Sequence, residues 1–244
     1  MHTHLYSLPT AYDTTDDELS APAPPIEAVL FDFANTLFRM VPTDVLLQRV
    51  WRDAGRDPAG LDAEAIAKAV QDAGNLPHVR AAQEHRDTSL ERHREASRVW
   101  FSEVPQLADI FDHVYAAILA VENWFPYDDT VPVLRELAAR GIPVGIVSDI
   151  AWDVRENIAA VGLTDAVGAY TLSYQVGYEK PDPRMFLKTC ADLGADPRRT
   201  LMVGDNAPRD GGAVACGLRT LLLPSEPKVG ERGLNAVLRL VDDF

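Results

Sequence analysis

Short apolar runs alternate with amphipathic stretches over most of the chain, and the two periods separate strands from helices. "EAVLFD" (27–32), "IPVGIVS" (142–148), "AYTLS" (169–173), "TLMVGD" (200–205) and "RTLLL" (219–223) are apolar runs of strand length, which predicts buried strands. "TVPVLRELAARG" (130–141) has helical spacing, with Pro132 in its first turn and Gly141 as terminator. "WDVRENIAAVG" predicts a helix ending at Gly162, and "PRDGGAVACG" a short one. "DPRMFLKTCADLG" predicts a helix with Asp182 as N-cap, Pro183 at its first position and Gly194 beyond its end. Strands alternating with helices predict a parallel sheet covered on both faces.

The stretch from 41 to 125 breaks that alternation. It is rich in Ala, Arg, Glu and Asp and carries only helical periodicity. "LDAEAIAKAVQDAG" puts Ile66, Ala69, Val70 and Ala73 on one face, with Asp62 as N-cap and Gly74 as the stop. "LADIFDHVYAAILAVENW" repeats the pattern through Ile110, Val114, Ala117, Ile118 and Val121 as one helix. A structureless loop of this length would be improbable, so the stretch is a helical insertion after the first strand. The expected organisation is an N-terminal arm over 1–25, an α/β core over 26–40 and 126–244, and the helical block over 41–125. The arm is polar, ends in "APAPP" and carries His2 and His4. It reads as a loose extension rather than a metal site.

Composition narrows the partners. A formal net charge of −14 argues against nucleic acid and anionic membranes, both of which need basic patches. It leaves room for a small anionic substrate, because a local Lys or a metal reverses the field within one cleft. No apolar run has the roughly 18 residues that span a bilayer, and the start lacks a secretory pattern, so a cytoplasmic protein is expected. Cys190 and Cys216 match no zinc spacing and read as small buried side chains in a reducing compartment. Nothing in the pattern gives an oligomeric state.

Ligands of open parallel sheets bind beyond the carboxyl ends of the strands. Asp32, Ser148 and Asp205 stand at or just past such ends, and Lys180 lies in a loop before a helix. Asp32 is either a covalent nucleophile or a turn cap. Thr36 either bonds a substrate oxygen or closes the turn, and Asn35 suits a left-handed turn position. Ser148 either bonds an oxyanion or caps the helix near Trp152. Lys180, in a loop stiffened by Pro181 and Pro183, is either a fixed charge that stabilises transfer or a solvated surface lysine. Asp205 and Asp210, with Asp32 from another strand, would make a hard oxygen site suited to Mg²⁺. Asp210 would equally serve as a helix N-terminal charge.

In order along the chain, Asp32 with Thr36, then Ser148, then Lys180 in "KPDP", then "GDNAPRD" resemble the four motifs of the haloacid dehalogenase (HAD) superfamily. The resemblance runs from about residue 27 to 223. It implies a Rossmann-like core with a helical C1-type cap that closes over the site and sets substrate choice. It also implies Mg²⁺ held by Asp32, the Ala34 carbonyl, Asp205 and Asp210, and Asp32 as the nucleophile that forms an aspartyl-phosphate. Lys180 and Ser148 would hold the transferring group. The candidate phosphate-binding set is Asn35, Thr36, Ser148, Asp149, Lys180 and Asn206. The expected activity is hydrolysis of a small phosphorylated metabolite.

Position 34 departs from the pattern. Phosphatases of this superfamily usually carry a second Asp there, which protonates the leaving alkoxide and later activates water. Losing such help costs ~10²–10⁴ in rate, about 3–5 kcal/mol. Three explanations follow. The leaving group needs no proton, as in an acyl phosphate or, by resemblance, in phosphonoacetaldehyde hydrolases. Those enzymes add a Schiff-base lysine from the cap, where this chain offers only Lys68. Alternatively the leaving group is a halide, which the intact Gly204–Asp205 pair argues against. Or a cap residue supplies the acid, or the chain is an impaired scaffold that binds a phosphorylated ligand or a protein. The cap candidates are His78, His85 and His93, with Glu84 and Glu91 nearby and Arg86, Arg92 and Arg94 as anchors. His85 and His93 fall in "EHRDTSLERHR", read as one helix whose charges form a solvated face.

Overall fold

The computed structural model describes residues 24–224 and 229–242. The arm expected over 1–25, with its two histidines, falls almost wholly outside them. Five strands, β1 (Ala28–Phe31), β4 (Val144–Ser148), β5 (Ala169–Leu172), β6 (Thr200–Gly204) and β7 (Arg219–Leu222), form one parallel sheet in the order β5-β4-β1-β6-β7. Every residue of β1, β4 and β6 is buried, as expected for strands covered on both faces. One face packs on Phe31, Phe33, Leu134, Leu137 and Ile158. The other packs on Met185, Phe186 and Cys190, with Leu30, Val147 and Met202 from the sheet. Gly145 lets the helix Pro183–Leu193 settle on β4, since a Cβ there would stand 2.5 Å from the Thr189 methyl.

A two-stranded antiparallel ribbon, β2 (Phe38–Met40) with β3 (Trp124–Pro126), carries the chain into and out of the helical insertion. The insertion comprises Thr43–Asp53, Ala63–Gly74, Pro77–Ala82, Leu90–Ser102, Pro105–Ala108 and Phe111–Leu119. It has its own apolar centre around Trp51, Ile66, Phe101, Phe111 and Val114. The fold is α/β, a Rossmann-like parallel sheet with a helical insertion after the first strand.

Several caps form as the sequence predicts. The Asp62 side chain accepts from Ala65 N at 2.9 Å, the Asp182 side chain accepts from Arg184 N at 2.9 Å, and Gly194 takes a left-handed φ of 66°. Other helices differ. Gly74 is the last helical residue rather than a stop, and it is small because a Cβ would meet the Trp100 ring at 3.1 Å. The stretch expected as one helix over 107–124 is broken at Ile110 and ends at Leu119. Side chains close that end, Asn123 Nδ2 donating to Ala117 O and Trp124 Nε1 to Ile118 O. "EHRDTSLERHR" is not one helix either. His85 is left-handed at φ 55°, a 3₁₀ turn follows over Arg86–Thr88, and Ser89 caps a new helix by accepting from Arg92 N. Asp, Thr and Ser in a row compete with the helical backbone and make this a turn. "WDVRENIAAVG" is helical only over Arg155–Ala160, and "PRDGGAVACG" divides into a short helix to Asp210 and a 3₁₀ segment.

Candidate active site

Beyond the carboxyl ends of β1, β4 and β6 the structure gathers the charged residues that the sequence scatters. The Lys180 ammonium, only 4% exposed, sits 2.8 Å from Asp32 Oδ1 and 2.6 Å from Asp210 Oδ1. It is therefore not the solvated lysine that was one expectation. Burial works against its charge, but Asp32, Asp210 and Asp149 outweigh burial and hold its pKa above the usual lysine value. Burial pushes Asp32 up to about 6, and the Lys180 charge opposes that rise while Asp210 adds to it. The Asp32 N–H still donates to Val203 O, so the sheet itself fixes the start of this turn.

The loops around the ammonium are locked by close packing. Asp210 is fully buried, and its second oxygen accepts from Asn206 N at 2.8 Å. Its carboxylate lies directly over Gly204, where any Cβ would be 2.2 Å away. Pro181 presses on Gly212 in the same way, with 2.4 Å between its Cβ and one built on that glycine. Asp149 accepts from Lys180 N at 2.8 Å and from Arg209 Nη1 at 2.5 Å. That carboxylate ties the β4 loop to two others.

Asn35 has φ 59°, the left-handed geometry expected of it, and its carbonyl accepts from Arg232 Nε at 2.5 Å. The hydroxyls of Thr36 and Ser148 are buried without a hydrogen-bond partner among the described residues. Ser148 does not cap the helix that follows, which starts only at Arg155. Unpaired buried hydroxyls are costly, and these two lie just after β1 and at the end of β4, the paired strands whose carboxyl ends meet the charged residues. One carboxylate oxygen from each of Asp32, Asp205 and Asp210 lies within 4.8 Å of the other two, a spacing that a six-coordinate cation can draw together. Three carboxylates set against Lys180 and Arg232 leave one excess negative charge, which fits a bound divalent cation. Burial raises the Asp205 pKa, as does Asp210, and Arg232 Nη2, 3.9 Å away, opposes this.

A cleft of about 450 Å³ opens above these groups. Asp32, Ala34, Asn35, Asp149, Lys180, Asp205, Asn206 and Arg209 form its floor and sides, and Gln83, Arg86, Asp87 and Trp100 of the insertion close it from above. None of the three candidate histidines lines it. His78 pairs with Glu103 and His85 with Glu179, both at the surface. His93 is buried rather than solvated, and its Nδ1 meets the Tyr115 hydroxyl at 3.0 Å. Burial and then the Arg86 charge lower its pKa to about 4. Lys68 is exposed and pairs with Asp72, away from the cleft.

Two contributors carry no signal in the sequence. Arg232 reaches Asn35 across 197 residues, held there because Asp129 accepts from the backbone N–H groups of Arg232, Gly233 and Leu234. Asp87 looks like a surface turn residue but is only 7% exposed.

A family model described as a haloacid dehalogenase-like hydrolase matches residues 26–217, and the chain belongs to that family of hydrolases. Over 213 residues it is 29% identical to glyceraldehyde 3-phosphate phosphatase of Methanopyrus kandleri, covering 80% of this chain and 83% of that one. It is 31% identical to phosphoserine phosphatase of Thermus thermophilus, over 42% of this chain and 44% of that protein. Among solved structures, a HAD-superfamily hydrolase from Geobacter sulfurreducens superposes with a TM-score of 0.61 at 19% identity, covering 88% of this chain and 96% of that one. L-2-haloacid dehalogenase of Xanthobacter autotrophicus gives 0.58 at 24% identity, with 81% and 77% covered. These two show the fold alone.

The buried Asp87 carboxyl has a consequence for stability. Burial pushes its pKa up to about 6; Arg86 opposes this, and Glu179 and Asp149 add to it. The free value is 3.8, so between pH 4 and 6 the native chain holds a proton that the unfolded chain has lost. Stability therefore falls as pH rises through that window, by an amount on the order of 1–3 kcal/mol. Asp87→Asn, which cannot ionise, is expected to melt above the native chain at pH 7.5, with the gap shrinking at pH 5. Thermal unfolding of both proteins at the two pH values measures it.

Proposed function

We propose that this chain is a Mg²⁺-dependent phosphohydrolase of small phosphate monoesters that works through an aspartyl-phosphate on Asp32. The observation that carries the reading is the buried Asp32 carboxylate held by Lys180, with partnerless hydroxyls at Thr36, four residues further on, and at Ser148, the last residue of the neighbouring strand β4. Two donors and an ammonium around one nucleophile suit the three equatorial oxygens of a transferring phosphoryl group. Asp32, Asp205, Asp210 and the Ala34 carbonyl would hold the cation, which when bound neutralises phosphate charge near the nucleophile. The small phosphorylated substrates in the names of the relatives support the size class. A net charge of −14 supports a small molecule rather than nucleic acid.

In the first step an Asp32 oxygen attacks phosphorus in line with the leaving oxygen. Thr36 and Ser148 donate to the phosphoryl oxygens, and Lys180 balances the charge of both nucleophile and phosphoryl group. Asp149 keeps Lys180 and Arg209 in place. In the second step water attacks the same phosphorus and frees Asp32. Ala34 has no proton to give or take in either step.

Phosphate release should be measured over alkyl, aryl and acyl phosphates, with Mg²⁺ and with chelator. Asp32→Asn is expected to lower turnover at least ~10³-fold while the protein still folds. Chelator should stop the native reaction and added Mg²⁺ restore it. A fully active Asp32→Asn would remove the covalent route. Ligand binding with no turnover of any substrate would favour the impaired scaffold.

A further inference from the structure

Beside the charged cleft lies a second cavity of a different character. It measures about 280 Å³ and is walled by Trp100, Phe101 and His93 of the insertion and by Trp124 and Trp152 of the core side. It shares Arg86 and Trp100 with the catalytic cleft, so the two spaces adjoin. His93 contributes a neutral ring there, for the reasons given above. The Trp152 indole N–H is buried with no acceptor among the described residues. A charged cleft that suits a phosphoryl group therefore borders an aromatic space with one spare donor.

We propose that this cavity holds the carbon part of the substrate, which is an apolar ring-bearing group with one oxygen acceptor for Trp152. The proposal rests on the phosphohydrolase reading and adds the substrate class to it. A cavity of about 150 Å³ takes up benzene, so this one has room for one to two rings. A polyol or amino-acid phosphate would leave its hydroxyl or ammonium groups unpaired against three tryptophans.

2-Phenylethyl phosphate and glycerol 3-phosphate leave as alkoxides of similar basicity and so isolate this preference. The first should have at least a ~10-fold higher kcat/KM, the gain from burying one ring. Calorimetry reads the cavity without turnover: 3-phenylpropylphosphonate should bind the native chain at least tenfold tighter than methylphosphonate does, and Ala67→Phe, which fills the space, should erase the difference. Equal affinity for the two phosphonates, or an equal or higher kcat/KM for glycerol 3-phosphate, overturns the assignment. Selective phosphonate binding with no turnover of any phosphate keeps the cavity assignment and sinks the phosphohydrolase reading.

A separate observation bears on the missing carboxyl at position 34. Asp87 belongs to the insertion, yet two hydrogen bonds pin its backbone to the core: its N–H donates to Glu179 Oε1 at 3.1 Å, and its carbonyl accepts from Ser173 Oγ at 2.7 Å. Asp87 lines the cleft that also contains Asp32 and Ala34. Arg86 at 3.3 Å and His93 Nε2 at 3.8 Å are its closest charged or titratable neighbours; Glu179, Asp149 and Arg209 face it from the core. No backbone N–H among the described hydrogen bonds ties the carboxylate down.

We infer that Asp87 is the acid and base that position 34 lacks. As Asp32 bonds to phosphorus, the bond to the leaving oxygen breaks, its electron pair stays on that oxygen, and the oxygen takes the Asp87 proton. The Asp87 carboxylate then accepts a proton from the water that attacks the aspartyl-phosphate, restoring the acid and freeing Asp32 and inorganic phosphate. The readout is leaving-group dependence. p-Nitrophenolate leaves unprotonated, whereas the 2-phenylethyl alkoxide does not. In Asp87→Asn the ratio of kcat/KM for p-nitrophenyl phosphate over 2-phenylethyl phosphate should rise by ~10² or more. An unchanged ratio overturns the role, whether both rates fall together, as a structural disturbance would make them, or neither falls. If the native chain turns over neither ester, this inference fails together with the phosphohydrolase reading.

Discussion

The Lys180 ammonium between Asp32 and Asp210 is the contact around which the site is arranged. Three connections must meet for it to form, because Asp32 directly follows β1, Asp210 ends the short helix after β6, and the lysine comes from a loop beyond β5. Burying such a charge group is expensive unless both ion pairs are short, so backbone placement has little tolerance. Two glycines permit the close approach this requires: Gly204 admits the Asp210 carboxylate over its own backbone, and Gly212 admits Pro181. Asp149 fixes the remaining freedom by accepting from the Lys180 N–H. Residues outside the ion pair therefore set the distance between the Asp32 carboxylate and the ammonium.

The helical insertion adds a second set of constraints. It is joined to the core by the β2–β3 ribbon and again at Asp87, through Glu179 and Ser173. Glu179 precedes Lys180 directly, so the loop that aims the ammonium also anchors the insertion. The roof of the cleft and the loop that carries the ammonium thus share one anchor. Because burial raises its pKa, a carboxyl at Asp87 is expected to make the fold less stable at neutral pH than an amide would. Stability given up at a cleft wall is the usual signature of a group kept for chemistry.

Fold and site differ in how far the sequence discloses them. The parallel sheet is readable because strands buried on both faces are nearly pure apolar runs, and "VLF", "VGIVS" and "TLMVG" have that form. Asp32, Lys180, Asp205 and Asp210 are readable because strand ends are where such folds bind ligands, and the structure brings all four together. The insertion is less so. Its periodicity shows helices but not their breaks, which depend on side chains such as Asn123 and Trp124 closing a helix end from outside it. His93 reads as part of a charged helix face and is instead core, because the partner that buries it, Tyr115, lies on another helix. Arg232 is invisible for the same reason, placed by Asp129 from more than a hundred residues away.

Ala34 looks at first like damage to this machinery. The surrounding geometry argues otherwise. Asn35 keeps the left-handed turn, its carbonyl is held by Arg232, and the Thr36 hydroxyl remains buried and unspent. A scaffold with no reaction to run would be stabler with apolar residues at Asp32, Lys180 and Asp210, since a buried ion cluster is commonly worth less than good packing. It would also be stabler with an amide at Asp87. The chain instead keeps every charged group of the floor and adds a buried carboxyl in the roof of the same cleft. In the proposed reaction, a floor without a second carboxyl beside Asp32 would repel incoming phosphate less, and a carboxyl in the roof would face the leaving oxygen, which points away from Asp32 in an in-line transfer. On that proposal, chemistry displaced from floor to roof accounts for both the alanine and the aspartate, where decay accounts only for the first.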